Sequence, residues 1–359
     1  MEKIITYKSL YSFTEKIFLA IGCSPEHAAL AADVLLQADL RGVDSHGTAR
    51  LSGYVRLWEV GRVNTQPQIK ITYETPSTAV VDGDRGLGLV VAPFAMKVAM
   101  EKANNVGTGW VSVKNSNHFG IAGYHAMMAL ENDMIGIAMT NASALVAPTN
   151  SKERMLGTNP IAVAVPADNE PAFVSDMATA AAANGKLEIA QRKGYDIPEG
   201  WAQTLDGTPT IQSDILKHQG ALLPLGSDEK HGSHKGYCLA SVVDIFSAVL
   251  SGASYGPWAP PFPAYVPLPT NMPGEGLGHF LGAMRVDAFR PAVEFKKEMD
   301  HWISRFREAK PIVPDKKVLI PGDPEREMTA IRMKDGIPIN DIVWSDLEDL
   351  STRFHIKLI

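Results

Sequence analysis

The 359-residue chain is 45% hydrophobic and 21% charged, the balance of an ordinary enzyme with two lobes or one elaborated α/β domain. Its net charge of -6 argues against nucleic-acid or anionic-membrane partners, and its two cysteines, Cys23 and Cys238, exclude a disulfide framework. No window approaches the roughly 20 apolar residues of a membrane span and the N-terminus lacks a signal pattern, so a cytoplasmic location is expected.

Two helices open the chain, one between Thr6 and Gly22 and one from Ser24-Pro25-Glu26 to Gly42. Ser24 can cap, Pro25 suits the first helical position and Gly42 suits the exit. A third helix is predicted over 48–60, with Leu51, Tyr54, Val55 and Trp58 on one face. Ahead of it, Asp44-Ser45-His46-Gly47-Thr48-Ala49-Arg50 gathers ionisable groups around a glycine turn. Arg50 suits bidentate pairing with a carboxylate, supplemented by His46, while a plain surface turn in which Asp44 pairs with Arg41 or Arg50 fits equally. Asp44, Ser45 and His46 carry the letters of a hydrolase triad, but sequence neighbours do not generally point into one relay, and no G-x-S-x-G elbow exists.

From residue 78 the texture changes to α/β layering, with strands predicted over 78–81, 109–113 and 134–139 and amphipathic segments over 90–103 and 121–130. The glycines of Gly83-Asp84-Arg85-Gly86-Leu87-Gly88 stand in the wrong order for the dinucleotide fingerprint, so no standard Rossmann domain is expected. A turn explains them, with backbone amides free to approach an anion. Between strand 109–113 and the next helix comes Asn115-Ser116-Asn117-His118-Phe119-Gly120. A histidine at a strand end can exchange a proton with a ligand near neutral pH, or serve as a structural hydrogen-bonding group.

Further strands are predicted over 161–165, 172–175 and 279–285, and helices over 184–193 and 234–250. Thr158 and Asn159 form a polar turn that can bind a ligand or merely satisfy itself. Asp176 closes a strand, where a carboxylate can accept ribose hydroxyls or cap the following segment. Lys235 at a helix entrance can meet a phosphate or stay solvated. His218, His231 and His234 lack metal-site spacing, and no metal is expected. The proline-rich segment 257–269 must be a rigid loop or arm whose aromatics pack on something. A helix over 291–309, and a turn over 318–324 into one last helix, complete the chain.

Eight of these segments together resemble the malate/L-lactate dehydrogenase family that is unrelated to the Rossmann-fold lactate and malate dehydrogenases. They are Asp44-Ser45-His46-Gly47 with Arg50, Asn115 to Gly120, Gly157-Thr158-Asn159-Pro160-Ile161, Asp176-Met177-Ala178-Thr179, Ile197-Pro198-Glu199-Gly200-Trp201-Ala202, Leu223-Pro224-Leu225-Gly226, His234-Lys235-Gly236-Tyr237 and Pro321-Gly322. They follow the family's order and span nearly the whole chain. One departure is Ala180-Ala181-Ala182-Ala183, where relatives often carry serine.

The resemblance implies an NAD- or NADP-dependent oxidoreductase interconverting 2-hydroxy and 2-oxo acids, most simply malate or L-lactate. It also implies a non-Rossmann mixed sheet flanked by helices, with a helical N-terminal segment (1–75) packing with a C-terminal segment (290–359) around an NAD(P)-binding α/β domain (76–289). A homodimer with active sites near the interface is implied as well. By position, His118 and His46 match the acid/base candidates, and Arg50 and Tyr54 the substrate contacts. Ser143, Thr158, Asn159, Asp176, Met177, Ala178, Lys235, Pro321 and Gly322 match cofactor contacts. Three rivals stand beside this expectation: an imine reductase on a cyclic 2-carboxylate, a catalytically silent metabolite-binding homologue, and a metal-dependent hydrolase using the loop histidines.

Overall fold

The computed structural model describes residues 3–358; Met1, Glu2 and Ile359, at the ends of the terminal segments 1–75 and 290–359, lie outside it. A short strand, β1 (Lys3–Ile5), leads into α1 (Tyr7–Ala20) and α2 (Pro25–Leu40). Thr6 and Ser24 cap these helices, their hydroxyls accepting the Ser9 and His27 amides at 3.2 Å. The helix predicted over 48–60 starts later, because Asp44–His46 and Thr48–Arg50 are separate 3-10 turns before α3 (Leu51–Glu59). Asp39 is the cause: its Oδ2 takes the Thr48 amide at 2.8 Å, holding the chain at Gly47 out of a continuous helix.

The α/β layering follows as β2 (Lys70–Glu74), β3 (Thr78–Asp82), α4 (Gly88–Val106), β4 (Thr108–Ser116), α5 (Ala122–Met127) and β5 (Met134–Thr140). Strand β2 escaped the sequence pattern because all five of its residues are exposed, leaving no alternation to read. The helix predicted over 121–130 ends at Met127 and tightens into a 3-10 turn, Met128–Asn132. Next come β6 (Ile161–Val165), β7 (Phe173–Met177), α6 (Asn184–Lys193) and three two-residue strands, β8 (Ala202–Gln203), β9 (Pro209–Thr210) and β10 (Ala221–Leu222). Helix α7 (Ser233–Asp244) passes into a π-helical turn, Ile245–Val249, within the predicted 234–250.

The remainder is β11 (Leu277–Arg285), α8 (Ala292–Arg307), α9 (Asp323–Asp335), β12 (Ile337–Ile339) and α10 (Asp341–Phe354). The single last helix of the sequence reading is thus two helices with a strand between them. Gly336, at φ 92°, turns the chain out of α9 so that β12 can pair antiparallel with β1.

The main sheet has the order β2-β3-β4-β11-β5-β6-β7 and is mixed. Strand β3 runs parallel to β4, whereas β11 is antiparallel to both β4 and β5, and β5, β6 and β7 alternate. The carboxyl ends of β4, β5 and β7 and the amino ends of β6 and β11 therefore share one rim. Leu277 pairs with Ser116, His279 with Thr140, and Ile161 with both Met139 and Met177.

Three apolar clusters support this frame. One joins Phe13, Phe18, Leu35, Leu51 and Tyr54 to Trp344 and Leu347 of α10. A second, with Val81, Val91, Met96, Val113 and Leu281, seats α4 on the sheet. The third, around Val146, Leu187, Ile197 and Leu222, holds α6 against the small sheet. Among the described residues no helix is long and apolar enough to cross a membrane.

Candidate active site

His118 stands just beyond the end of β4. The 117–118 loop is held by Asn117, whose Nδ2 donates to the Arg85 and Gly86 carbonyls at 2.9 and 3.0 Å. Gly88, opening α4, lies so close to the Asn117 and His118 carbonyls that any side chain there would overlap them. The amides of Gly83, Arg85 and Gly86 are bound to Lys114, Asn115 and Gly83 carbonyls at 2.8–2.9 Å, so these three are not available to the anion the sequence allowed for at this turn. Its work is to position His118.

The imidazole itself is fixed on one side. Gly120 donates its amide to Nδ1 at 3.3 Å, and the Tyr54 hydroxyl lies 2.7 Å from the same nitrogen. Nδ1 accepts from Gly120 in this arrangement, so action as a base at Nε2 requires the other neutral tautomer, in which Nδ1–H donates to the Tyr54 hydroxyl. Tyr54 is fully buried, so it stands behind His118 and reaches it through the hydroxyl instead of lining the open cavity.

The 44–50 turn brings the second histidine alongside: the His46 and His118 rings stack with centroids 5.5 Å apart. Ser45 Oγ lies 2.9 Å from His46 Nδ1, so these two sequence neighbours bond. They form no hydrolase relay, because Asp44 turns away to an ion pair with Arg332 of α9, and not with Arg41 or Arg50. Arg50 donates Nε to the Ser45 carbonyl at 2.5 Å, and its Nη2 lies 3.5 Å from Glu188 of α6. Its end-on pair of Nη groups faces a cavity of about 240 Å³ lined by Ser45, Gly53, Arg56, Glu188 and Phe262 among others.

Burial, and then the positive charge of Arg50, pushes the His46 pKa down to about 4. His118 is held well below the ordinary histidine range by burial first, then by His46, Arg50 and His279. The sequence reading gave His118 a pKa suited to proton transfer in both directions; burial and the Arg50 charge instead favour the neutral form of both imidazoles. The pair thus presents two neutral nitrogen groups beside one fixed cation.

The proline-rich segment proves to be a wall of this site. Arg62 holds it by donating to the Pro261 and Val266 carbonyls at 3.3 and 2.6 Å. Phe262 packs on Gly53 and sets its ring 4.9 Å from His118 and 5.3 Å from Tyr54. Phe262 and Glu188 were both missed as site residues. The arm was legible as something that packs, but nothing local marked its target, and Glu188 looks like any helical glutamate.

The candidate cofactor residues gather along the same rim. Ser143, after β5, accepts the Phe262 amide at 3.0 Å and so adjoins the histidines. Asn159 is wholly buried: its Oδ1 accepts the Ala142 amide and its Nδ2 donates to the Ala240 carbonyl, leaving its side chain to the scaffold. The Thr158 carbonyl takes the Thr179 amide at 2.9 Å, tying this turn to the chain beyond Met177 and Ala178.

Asp176, exposed near the end of β7, accepts the Gly123 amide at 2.7 Å, and desolvation by the surrounding protein raises its pKa to about 6. The Pro321 carbonyl accepts the Val174 amide at 3.0 Å, placing Pro321 and Gly322 against the outer edge of β7, two residues from Asp176. Lys235 is exposed in the first turn of α7. A hydroxyl-accepting carboxylate and an open turn at β7, with an exposed cation at the start of α7, form a donor set that fits a dinucleotide. Of the loop histidines, His218 pairs with Asp214 and His231 with Asp228. Among the described residues no three His, Cys, Asp or Glu side chains gather as a metal-binding group.

The chain as a whole is similar to known proteins. The family model for malate/L-lactate dehydrogenase matches residues 5–348. The chain belongs to that family. It is 44% identical over 349 residues to a malate dehydrogenase of Pyrococcus abyssi, covering 97% of this chain and 94% of the relative. It is 40% identical over 355 residues to a malate/(S)-sulfolactate dehydrogenase of Methanothermus fervidus, covering 99% of each. The solved malate dehydrogenase of Entamoeba histolytica superposes with a TM-score of 0.92 at 33% identity, over 99% of both chains. As a family member the chain is a hydroxyacid dehydrogenase, which implies a nicotinamide cofactor.

Proposed function

We propose that this family member is an NAD- or NADP-dependent 2-hydroxyacid dehydrogenase with malate or L-lactate as substrate. The observation that carries the reading is the stacked pair His46 and His118 beside Arg50, three groups matched to a 2-oxo acid's carbonyl and carboxylate. Arg50 binds the substrate carboxylate through its Nη edge, since Nε is already committed to Ser45, and so fixes C2 in the cleft. His118 takes the hydroxyl proton during oxidation and returns it during reduction, with His46 polarising the same oxygen. Tyr54 keeps the His118 ring in place. When bound, the nicotinamide supplies or accepts the hydride.

Substrate binding also prepares the proton carrier. The Arg50 charge depresses both imidazoles, so a bound carboxylate that offsets it raises both pKa values toward neutrality. The same residues therefore bind the acid and tune the base.

On the cofactor side, Asp176 accepts ribose hydroxyls, Lys235 meets a phosphate, and Ser143, Thr158, Met177, Ala178, Pro321 and Gly322 line the path, with Asn159 supporting it from within. A homodimer is supported by the apolar face of α7 and its π-helical turn, where Tyr237, Val242, Ile245, Phe246, Val249 and Leu250 are 38–59% exposed. Free Cys23 and Cys238 suit a reducing cytoplasm.

A panel of 2-oxo acids with NADH and with NADPH tests the reading, and oxaloacetate or pyruvate should give the highest kcat/KM. No nicotinamide absorbance change with any 2-oxo acid, or with malate and lactate in reverse, refutes it. Faster turnover of pyrroline or piperideine carboxylates favours the imine-reductase alternative, which Arg50 would serve equally well.

A further inference from the structure

The 44–50 turn carries both His46 and Arg50, yet it has little regular structure of its own. Two buried groups from elsewhere hold it. Asp39, near the end of α2 and 2% exposed, accepts the Thr48 amide at 2.8 Å through Oδ2. Its carboxylate also lies against Gly47 so closely that any Cβ there would overlap it. Residues 47 and 48 stand between His46 and Arg50, so Asp39 anchors the middle of the turn.

Arg332, from the last turn of α9 and 7% exposed, anchors its start. Nη1 donates to the Asp39 carbonyl and to Asp44 Oδ1, and Nη2 reaches Asp44 Oδ2 at 3.3 Å. One planar guanidinium thus ties the end of α2 to the residue two before His46. A lysine could meet Asp44 but has no fork with which to hold the α2 carbonyl in the same geometry.

Helix α9 gives the contact a further meaning. Its 13 residues span roughly 20 Å at about 1.5 Å each. It begins just after Pro321 and Gly322, which lie against β7 and near Asp176, and there Asp323 pairs with Arg307 and Arg326. One rigid helix therefore touches the candidate dinucleotide turn at one end and the substrate turn at the other.

We propose that Arg332, acting with Asp39 through Asp44 and Thr48, is a positioning residue that sets His46 and Arg50 for the 2-oxo acid. The proposal rests on the hydroxyacid-dehydrogenase reading of those two side chains. Neither Arg332 nor Asp39 touches the open cavity, so they act only through the turn.

The test compares Arg332→Met, Arg332→Lys and Asp39→Asn with wild type and with Lys296→Met, a control that breaks the α8 ion pair to Asp133 outside the site. In Arg332→Met, kcat/KM for oxaloacetate or pyruvate should fall at least about tenfold, chiefly through KM, while NADH affinity by fluorescence titration stays within about twofold. Arg332→Lys should recover part of the loss, Asp39→Asn, which still offers an oxygen to the Thr48 amide, should lose less than Arg332→Met, and Lys296→Met should match wild type. A merely structural role predicts a lower unfolding midpoint with unchanged KM in the folded enzyme, and that result overturns the proposal.

Inactive wild type with every 2-oxo acid would refute the functional reading instead. The positioning claim is then read from 13Cε1-histidine NMR. The His46 signal, assigned with His46→Ala, should shift in Arg332→Met but not in Lys296→Met, and an unmoved signal overturns the claim.

Discussion

Replacing Arg50 with lysine keeps the charge and removes the fork, which makes it the sharpest test of how the substrate is held. In the structure Arg50 performs two tasks at once: Nε donates to the Ser45 carbonyl at 2.5 Å, and the Nη edge faces the cavity with Glu188 3.5 Å away. A lysine ammonium cannot occupy both positions, so one of the two charge-assisted bonds to the substrate carboxylate is lost. Such a bond contributes about 1.5–3 kcal/mol. At about 1.36 kcal/mol per tenfold, the expected drop in kcat/KM is roughly 10- to 150-fold. The Arg50 side chain is 20% exposed, and water's screening favours the lower end of that range. Steady-state nicotinamide absorbance with oxaloacetate or pyruvate reads the effect, and a fluorescence titration with NADH checks that the cofactor still binds. A lysine variant with kcat/KM within about twofold of wild type would refute bidentate carboxylate binding by Arg50.

Three other expectations follow from the same geometry. His118→Ala should lower kcat by about 10²–10⁴-fold with dinucleotide affinity unchanged; loss of affinity without loss of turnover would return His118 to a structural role. In the oxidation direction, the acid limb of the kcat profile should lie at higher pH than that of kcat/KM, because bound carboxylate offsets the Arg50 charge that depresses His46 and His118; coincident limbs would contradict this coupling. Buried His125 should make stability pH-dependent. Its folded pKa, pushed down to about 4 by burial, lies below the ordinary histidine value of 6.5, so between these values the unfolded chain binds a proton that the fold excludes. Its contribution is complete above 6.5 and is lost as pH falls through about 4. Relative to wild type, His125→Phe should therefore gain stability on acidification by up to about 1.4 kcal/mol per pH unit, and parallel urea-unfolding curves at every pH would rule this out.

The sequence by itself carried the caps at Thr6 and Ser24, the α/β alternation after residue 78, the absence of a Rossmann fingerprint, and the segments that hold His46, Arg50, His118 and Asp176. These are local signals: a cap, a period and a glycine order act over a few residues and can be read there. The family resemblance rested on the same kind of evidence, since collinear motifs need no knowledge of their spacing in three dimensions.

What tertiary structure decided was company. His118 lies between Tyr54 and Phe262, which stand 64 residues before it and 144 after it in the chain. Asp44 is bound by Arg332, 288 residues away. The segments of His118 and Ser143 meet only because β11 enters antiparallel between β4 and β5, setting the ends of non-adjacent strands side by side. The depressed pKa values of His46 and His118 belong to this level too. Desolvation and the field of Arg50 act through space, and no local pattern in the chain encodes the burial that makes them strong.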